Sequence, residues 1–286
     1  MNNIRFLLKL IVFCVMSSVI LFQTLKPAAT QSNLLPLVSP RTDQQIDFSQ
    51  HFQDLEIEGS ILIYDPNQDK IYQHNPQRNA TPFLPASTFK ILNSLIALET
   101  GVIANELALL TWDGIQRTVP AWNQDLNMKE AIQGSAVWFY QVLARRIGYE
   151  RMQDWVTRVG YGNQNIGSAT DIDEFWLEGA LRITPQEQIQ FLQQLYQNDL
   201  PFSERAIAIV KDIMILEKTP DYTIRGKTGW LGFGSETIPQ VGWYVGYLER
   251  GEQVYFFATN INIRHPKEAA ARMELTRRCF QDLGLL

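Results

Sequence analysis

Polar and apolar positions change their period three times along this chain. Gly59-Ser60-Ile61-Leu62-Ile63-Tyr64 and Lys70-Ile71-Tyr72-Gln73 read as two strands, and Asp65-Pro66-Asn67-Gln68-Asp69 between them reads as a turn. Phe89, Leu92, Leu95, Ile96 and Leu98 then recur at helical spacing, predicting a helix from Pro85 to Thr100 that Gly101 stops. The middle, roughly 102–218, is predicted to be mostly helical, with helical spacing over Met128 to Ile147 and Glu150 to Val159. Thr184-Pro185-Gln186-Glu187 has the makings of a helix start: Thr can cap, Pro suits the first turn, and Glu follows three residues later. That helix should run to about Tyr196. Strands return at Thr223 to Trp230, Gly242 to Leu248 and Gln253 to Asn260, and a last amphipathic helix spans Lys267 to Leu283.

This order predicts an α+β fold. The early hairpin pairs with the late strands in one antiparallel sheet flanked by helices, and a mostly helical region is inserted between them. The sheet half would comprise about 51–80 and 219–286, and the helical half about 81–218. A functional cleft is expected at the seam.

The first thirty residues have another character. Arg5 and Lys9 flank or interrupt an apolar stretch from Phe6 to Phe22, and Lys26-Pro27-Ala28-Ala29-Thr30 follows. Residues 1–30 read as a secretory signal or an uncleaved N-terminal anchor, and 31–50 as a polar linker. Either way the expectation is an exported, periplasmic protein whose membrane contact is confined to that segment. Cys14 lies inside the segment, so a cut would leave Cys279 alone, with no intrachain disulfide. A net charge of −5 and no long basic run argue against nucleic acid as a partner. His51, His74 and His265 are scattered, so no metal site is expected.

The candidate chemistry starts at Ser87-Thr88-Phe89-Lys90, the only Ser-x-x-Lys in 286 residues. Helical neighbours at i+3 bring a lysine under a serine hydroxyl, and such a pair can activate serine without histidine. Ser135-Ala136-Val137 follows in the helical region and Lys227-Thr228-Gly229 lies on the first late strand. Taken singly, these are a helix-cap serine, a hydroxyl bonded to backbone and a solvated lysine. Taken in order, they match the three-motif logic of penicillin-recognising serine enzymes.

Here the chain resembles the class D, oxacillinase-type serine β-lactamases over roughly residues 50–285. Tyr161-Gly162-Asn163, Phe175-Trp176-Leu177-Glu178-Gly179, Lys227-Thr228-Gly229-Trp230 and Gly242-Trp243-Tyr244-Val245-Gly246 carry the likeness further, as does Arg272 on the last helix. The resemblance implies a β-lactamase/transpeptidase-like catalytic domain over 51–286 and β-lactam small molecules as ligands. It implies hydrolysis of the lactam amide of penicillin-type antibiotics through a serine acyl-enzyme, and with it β-lactam resistance.

It also implies roles. Ser87 is the nucleophile, and the backbone N–H groups of Ser87 and Trp230 form the oxyanion hole. Lys90 becomes N6-carboxylysine, requiring carbon dioxide or bicarbonate but no other cofactor, and acts as general base. Trp176, with Val137 and Leu177, stabilises the carbamate. Ser135 relays a proton to the leaving nitrogen, although a backbone-bonded hydroxyl is its stronger rival reading. Lys227, Thr228, Gly229, Trp230 and Arg272 bind substrate. Tyr161-Gly162-Asn163 has no role derivable from its chemistry, and Glu178 is left structural. A penicillin-sensing domain or an inactive relative, which acylates without turnover, is the alternative. Substrate profile and oligomeric state stay open.

Overall fold

In a computed structural model the described residues are 46–235 and 240–286. The apolar stretch from Phe6 to Phe22, the expected cleavage region and most of the polar 31–50 segment therefore lie outside the described residues. Helix α1 (Ser49–Asp54) precedes the hairpin β1 (Gly59–Asp65) and β2 (Lys70–His74), after which comes the short α2 (Pro76–Asn79). The hairpin turn is built by Asp65, whose carboxylate accepts from the backbone of Asn67 at 2.8 Å. The helical half then runs through α3 (Lys90–Glu99), α4 (Met128–Gln133), α5 (Val137–Ile147), α6 (Tyr149–Val159), α7 (Pro185–Gln197) and α8 (Glu204–Ile213). The chain returns through β3 (Ile215–Lys218), β4 (Thr223–Leu231), β5 (Gln240–Arg250) and β6 (Gln253–Ile263), and closes with α9 (Ala271–Asp282).

All six strands form one antiparallel sheet in the order β2-β1-β6-β5-β4-β3. The expected closure is what is found: the early hairpin joins the late strands through β1 and β6. Side chains alternate between the faces of the sheet. On β5, Trp243, Val245 and Tyr247 enter the larger apolar cluster beneath the helical half, while Tyr244 and Leu248 enter a second cluster. That second cluster also takes Phe48 and Phe52 from the start of the described chain and Leu275, Phe280 and Leu285 from its end. His51 and Asp282 meet there at 2.7 Å.

Three elements differ from expectation. Residues Ala86–Phe89 form a 3₁₀ turn, and the α-helix starts only at Lys90. The helix expected over Met128 to Ile147 is broken at Gly134-Ser135-Ala136, where Ser135 adopts φ 55°. The expected final helix begins as a 3₁₀ turn over Pro266–Ala270. Short α1, α2 and β3 carried no clear period, and α8 lay in a region predicted only in general terms. The cap at Thr184 forms as expected: its hydroxyl accepts from the Glu187 N–H at 3.1 Å and the Glu187 carboxylate accepts from the Thr184 N–H at 2.7 Å.

Candidate active site

Ser87 is held by a tight turn. Ala86, just before it, sits at φ 48°, a left-handed conformation that is costly for a residue with a Cβ. The turn is pinned by Ala86 N–H donating to the Trp176 carbonyl at 2.9 Å. Because a 3₁₀ turn repeats every three residues, Ser87 and Lys90 eclipse one another. Lys90 Nζ lies 2.6 Å from Ser87 Oγ. The lysine is fully buried and faces the Tyr140 ring, 5.5 Å from its centroid.

Burial, reinforced by the nearby Lys227 charge, pushes the Lys90 amine well below the ordinary lysine range. The neutral amine can then accept the Ser87 proton instead of competing for an acceptor. Trp176 stacks on Phe89, the residue before Lys90, at 5.4 Å. Its indole Nε1 is buried and finds no hydrogen-bond partner among the described residues. Val137 and Leu177, both half-buried, line the cleft rather than the closed core.

A second serine–lysine pair faces the first. Lys227 Nζ donates to Ser135 Oγ at 3.0 Å and to the Thr228 carbonyl at 2.8 Å. Ser135 is thus bonded to a lysine and not, as the rival reading held, to helix backbone. Burial, then repulsion from Arg272, brings the Lys227 amine down to about 7. Arg272 is itself lowered to about 10 by burial. Its guanidinium lies 5.9 Å from the Trp230 ring, one nitrogen donates to the Ala269 carbonyl, and Nε is left without a partner among the described residues. Ser87, Ser135, Val137, Leu177, Thr228, Gly229, Trp230 and Arg272 share one cleft of about 550 Å³. Lys90 and Lys227 lie just behind its lining, bonded to Ser87 and Ser135.

Strand parity supplies backbone donors. Gly226 N–H donates to Met214 beyond the outer edge of β4. Two and four residues on, the N–H groups of Thr228 and Trp230 turn to that same edge, past the end of β3 pairing. The Ser87 turn packs close to this part of β4, where a Cβ on Gly229 would come 3.2 Å from the Pro85 carbonyl oxygen.

Some contributors were missed. Asn163 braces the Trp176 loop: its Nδ2 donates to the Ala180 carbonyl at 2.9 Å, and its Oδ1 accepts from the Arg182 N–H at 3.0 Å. Gly162 permits this approach, since a Cβ there would fall 2.1 Å from the Arg182 carbonyl oxygen. Tyr161 packs edge-on against Phe89. The role of Tyr161-Gly162-Asn163 is therefore to seat the loop that pins the Ser87 turn, which no local pattern could disclose. Trp122 is another: its indole donates to the Gly134 carbonyl at 2.8 Å, anchoring the break that presents Ser135. Arg117, locked to Asp113, forms part of the outer wall.

The chain matches the penicillin binding protein transpeptidase domain family over residues 59–281. It is 39% identical to β-lactamase OXA-5 of Pseudomonas aeruginosa across 87% of this chain and 92% of that protein. It is 38% identical to β-lactamase OXA-48 of Klebsiella pneumoniae, across 85% and 90%. The crystal structure of the class D β-lactamase YbXI from Nostoc aligns with a TM-score of 0.82 at 58% identity, covering 84% of this chain and all of that one. Fold, paired serine–lysine site and these likenesses agree, and the chain belongs to the class D β-lactamases.

Proposed function

We propose that the protein hydrolyses the lactam amide of penicillin-type antibiotics through a serine acyl-enzyme, and so confers resistance to them. The observation that carries this reading is the buried Ser87–Lys90 pair, 2.6 Å apart, at a cleft lined by Ser87, Ser135 and Arg272. Ser87 Oγ attacks the lactam carbonyl carbon as its proton leaves toward Lys90. The N–H groups of Ser87 and Trp230 stabilise the charge gathering on the carbonyl oxygen. As the C–N bond breaks, Ser135, held by Lys227, passes a proton to the leaving nitrogen. Arg272 and Lys227 draw in the drug carboxylate.

Lys90 is the proposed site of carboxylation by carbon dioxide. A neutral buried amine, and an unpartnered Trp176 Nε1 on the loop that pins the Ser87 turn, support this reading, with Val137 and Leu177 lining the cleft next to it. Carboxylated, the lysine would supply an anionic base for the Ser87 proton and for the water that releases the acyl group. Export to the periplasm through residues 1–30 is part of the same proposal. The test is turnover of a chromogenic cephalosporin with and without added bicarbonate. Multiple turnovers, faster with bicarbonate, are expected. Stoichiometric acylation without turnover at saturating bicarbonate would overturn the reading in favour of a sensor.

A further inference from the structure

The Ser87 turn has a support that the chemistry above leaves unused. Thr88 donates its hydroxyl to the Pro85 carbonyl at 2.7 Å, the same oxygen that its backbone N–H reaches at 3.1 Å. The hydroxyl in turn accepts, at 2.8 Å, from Nε2 of Gln188 on α7, one hundred residues later. Both side chains are buried, Gln188 completely. The Thr88 methyl points away from Gln188, toward β4. A Cβ on Gly229 would lie 3.3 Å from that methyl and 3.2 Å from the Pro85 carbonyl oxygen. Thr88 is therefore a wedge between the nucleophile turn and the substrate-binding strand, and Gln188 fixes its rotamer.

The two backbone donors of the oxyanion hole sit on either side of this wedge. Ser87 immediately precedes Thr88, and Trp230 immediately follows Gly229. Any rotation of Thr88 changes the gap between them, and catalysis of this kind depends on where such donors are aimed. The arrangement is also costly in a way plain packing would not be. Gln188 Oε1 is buried without a well-formed hydrogen bond among the described residues, and the buried Tyr161 hydroxyl lies against both Thr88 and Gln188 as a third polar member of the group. An apolar side chain of the same shape would avoid that penalty.

We propose that Gln188 is a positioning residue for acyl transfer: through Thr88 it sets the separation of the Ser87 and Trp230 N–H groups. The proposal rests on the β-lactamase reading of the same site. The test compares Gln188→Met, Gln188→Glu and Thr88→Val in the full chain at saturating bicarbonate. Gln188→Met should lower the acylation rate roughly tenfold or more, with KM nearly unchanged and the thermal midpoint equal or raised. Thr88→Val should match it, and the double variant should be no slower than the slower single. Gln188→Glu restores a donor only when protonated, so its acylation relative to wild type should recover as pH falls. Wild-type acylation in Gln188→Met, or a loss explained by unfolding, would overturn the proposal. If the wild-type chain itself fails to acylate, the β-lactamase reading falls. Positioning is then still read from the Ser87 and Trp230 backbone amide resonances: both shift in Gln188→Met if Gln188 positions the turn, and unmoved resonances refute it.

Discussion

Lys90 is a cation-forming side chain with no room for a cation. Its burial and the neighbouring Lys227 favour loss of the proton, and the Ser87 hydroxyl is the nearest polar group. Lys90→Ala should therefore acylate slowly and fail to release what it forms, so that turnover is lost and any acyl-enzyme is seen as a persistent mass increment on the protein. Full turnover in that variant would end the assignment of Lys90 as base. Lys227 has a consequence for stability as well. Its folded value is about 7, whereas an unfolded lysine titrates near 10.4. Between those values the unfolded chain binds a proton that the folded chain has released, so stability rises with pH across that window. Thermal midpoints in bicarbonate-free buffer should climb from pH 7 to 9, and Lys227→Met should flatten the climb. At this scale the sequence was informative about identities: Ser87, Lys90, Ser135, Lys227 and Arg272 come together as expected. It was silent about Ala86 and Ser135 adopting left-handed backbone, because side-chain pattern does not encode a φ value held by tertiary contacts.

Helices and strands were legible where a period ran unbroken. Strands β1, β2, β4, β5 and β6 and helices α6 and α7 fall within a few residues of their expected limits, and α3 ends where expected. The break between α4 and α5 was not legible. Its residues satisfy helical spacing, and the kink is imposed from outside by the Trp122 indole on Gly134 and by Lys227 on Ser135. The capped start of α7 was readable locally, and it matters beyond its own turn because it fixes where Gln188 falls. Thr184→Ala removes a cap and should cost about 1 kcal/mol. Urea denaturation should show a lower midpoint with an unchanged slope; an unchanged midpoint would mean that α7 is held by packing alone.

The whole molecule is organised by β5, which feeds one apolar cluster on each face of the sheet. At Gly246 the strands meet so closely that a Cβ would come within 2.1 Å of the Arg225 carbonyl oxygen and 2.7 Å of Gly226 Cα. Gly246→Ala should destabilise the protein by about 3 kcal/mol, with both halves melting together. Near-UV circular dichroism and cleft activity lost at different temperatures would show that the halves unfold separately. The antiparallel closure could be foreseen from element order, but this contact could not, since it depends on the register of two strands.

Phe48 and Phe52 share their cluster with Phe280 and Leu285, and His51 touches Asp282. The first and last of the described residues thus meet at one place, on the sheet face away from the helical half. The connectivity between them is close to that of a ring with a single gap. Bridging that gap with a short linker and opening the chain at the Asp65–Asp69 turn would give a circular permutant with the same sheet and the same cleft. Strand β1 would then be synthesised last and would still have to take its place between β2 and β6.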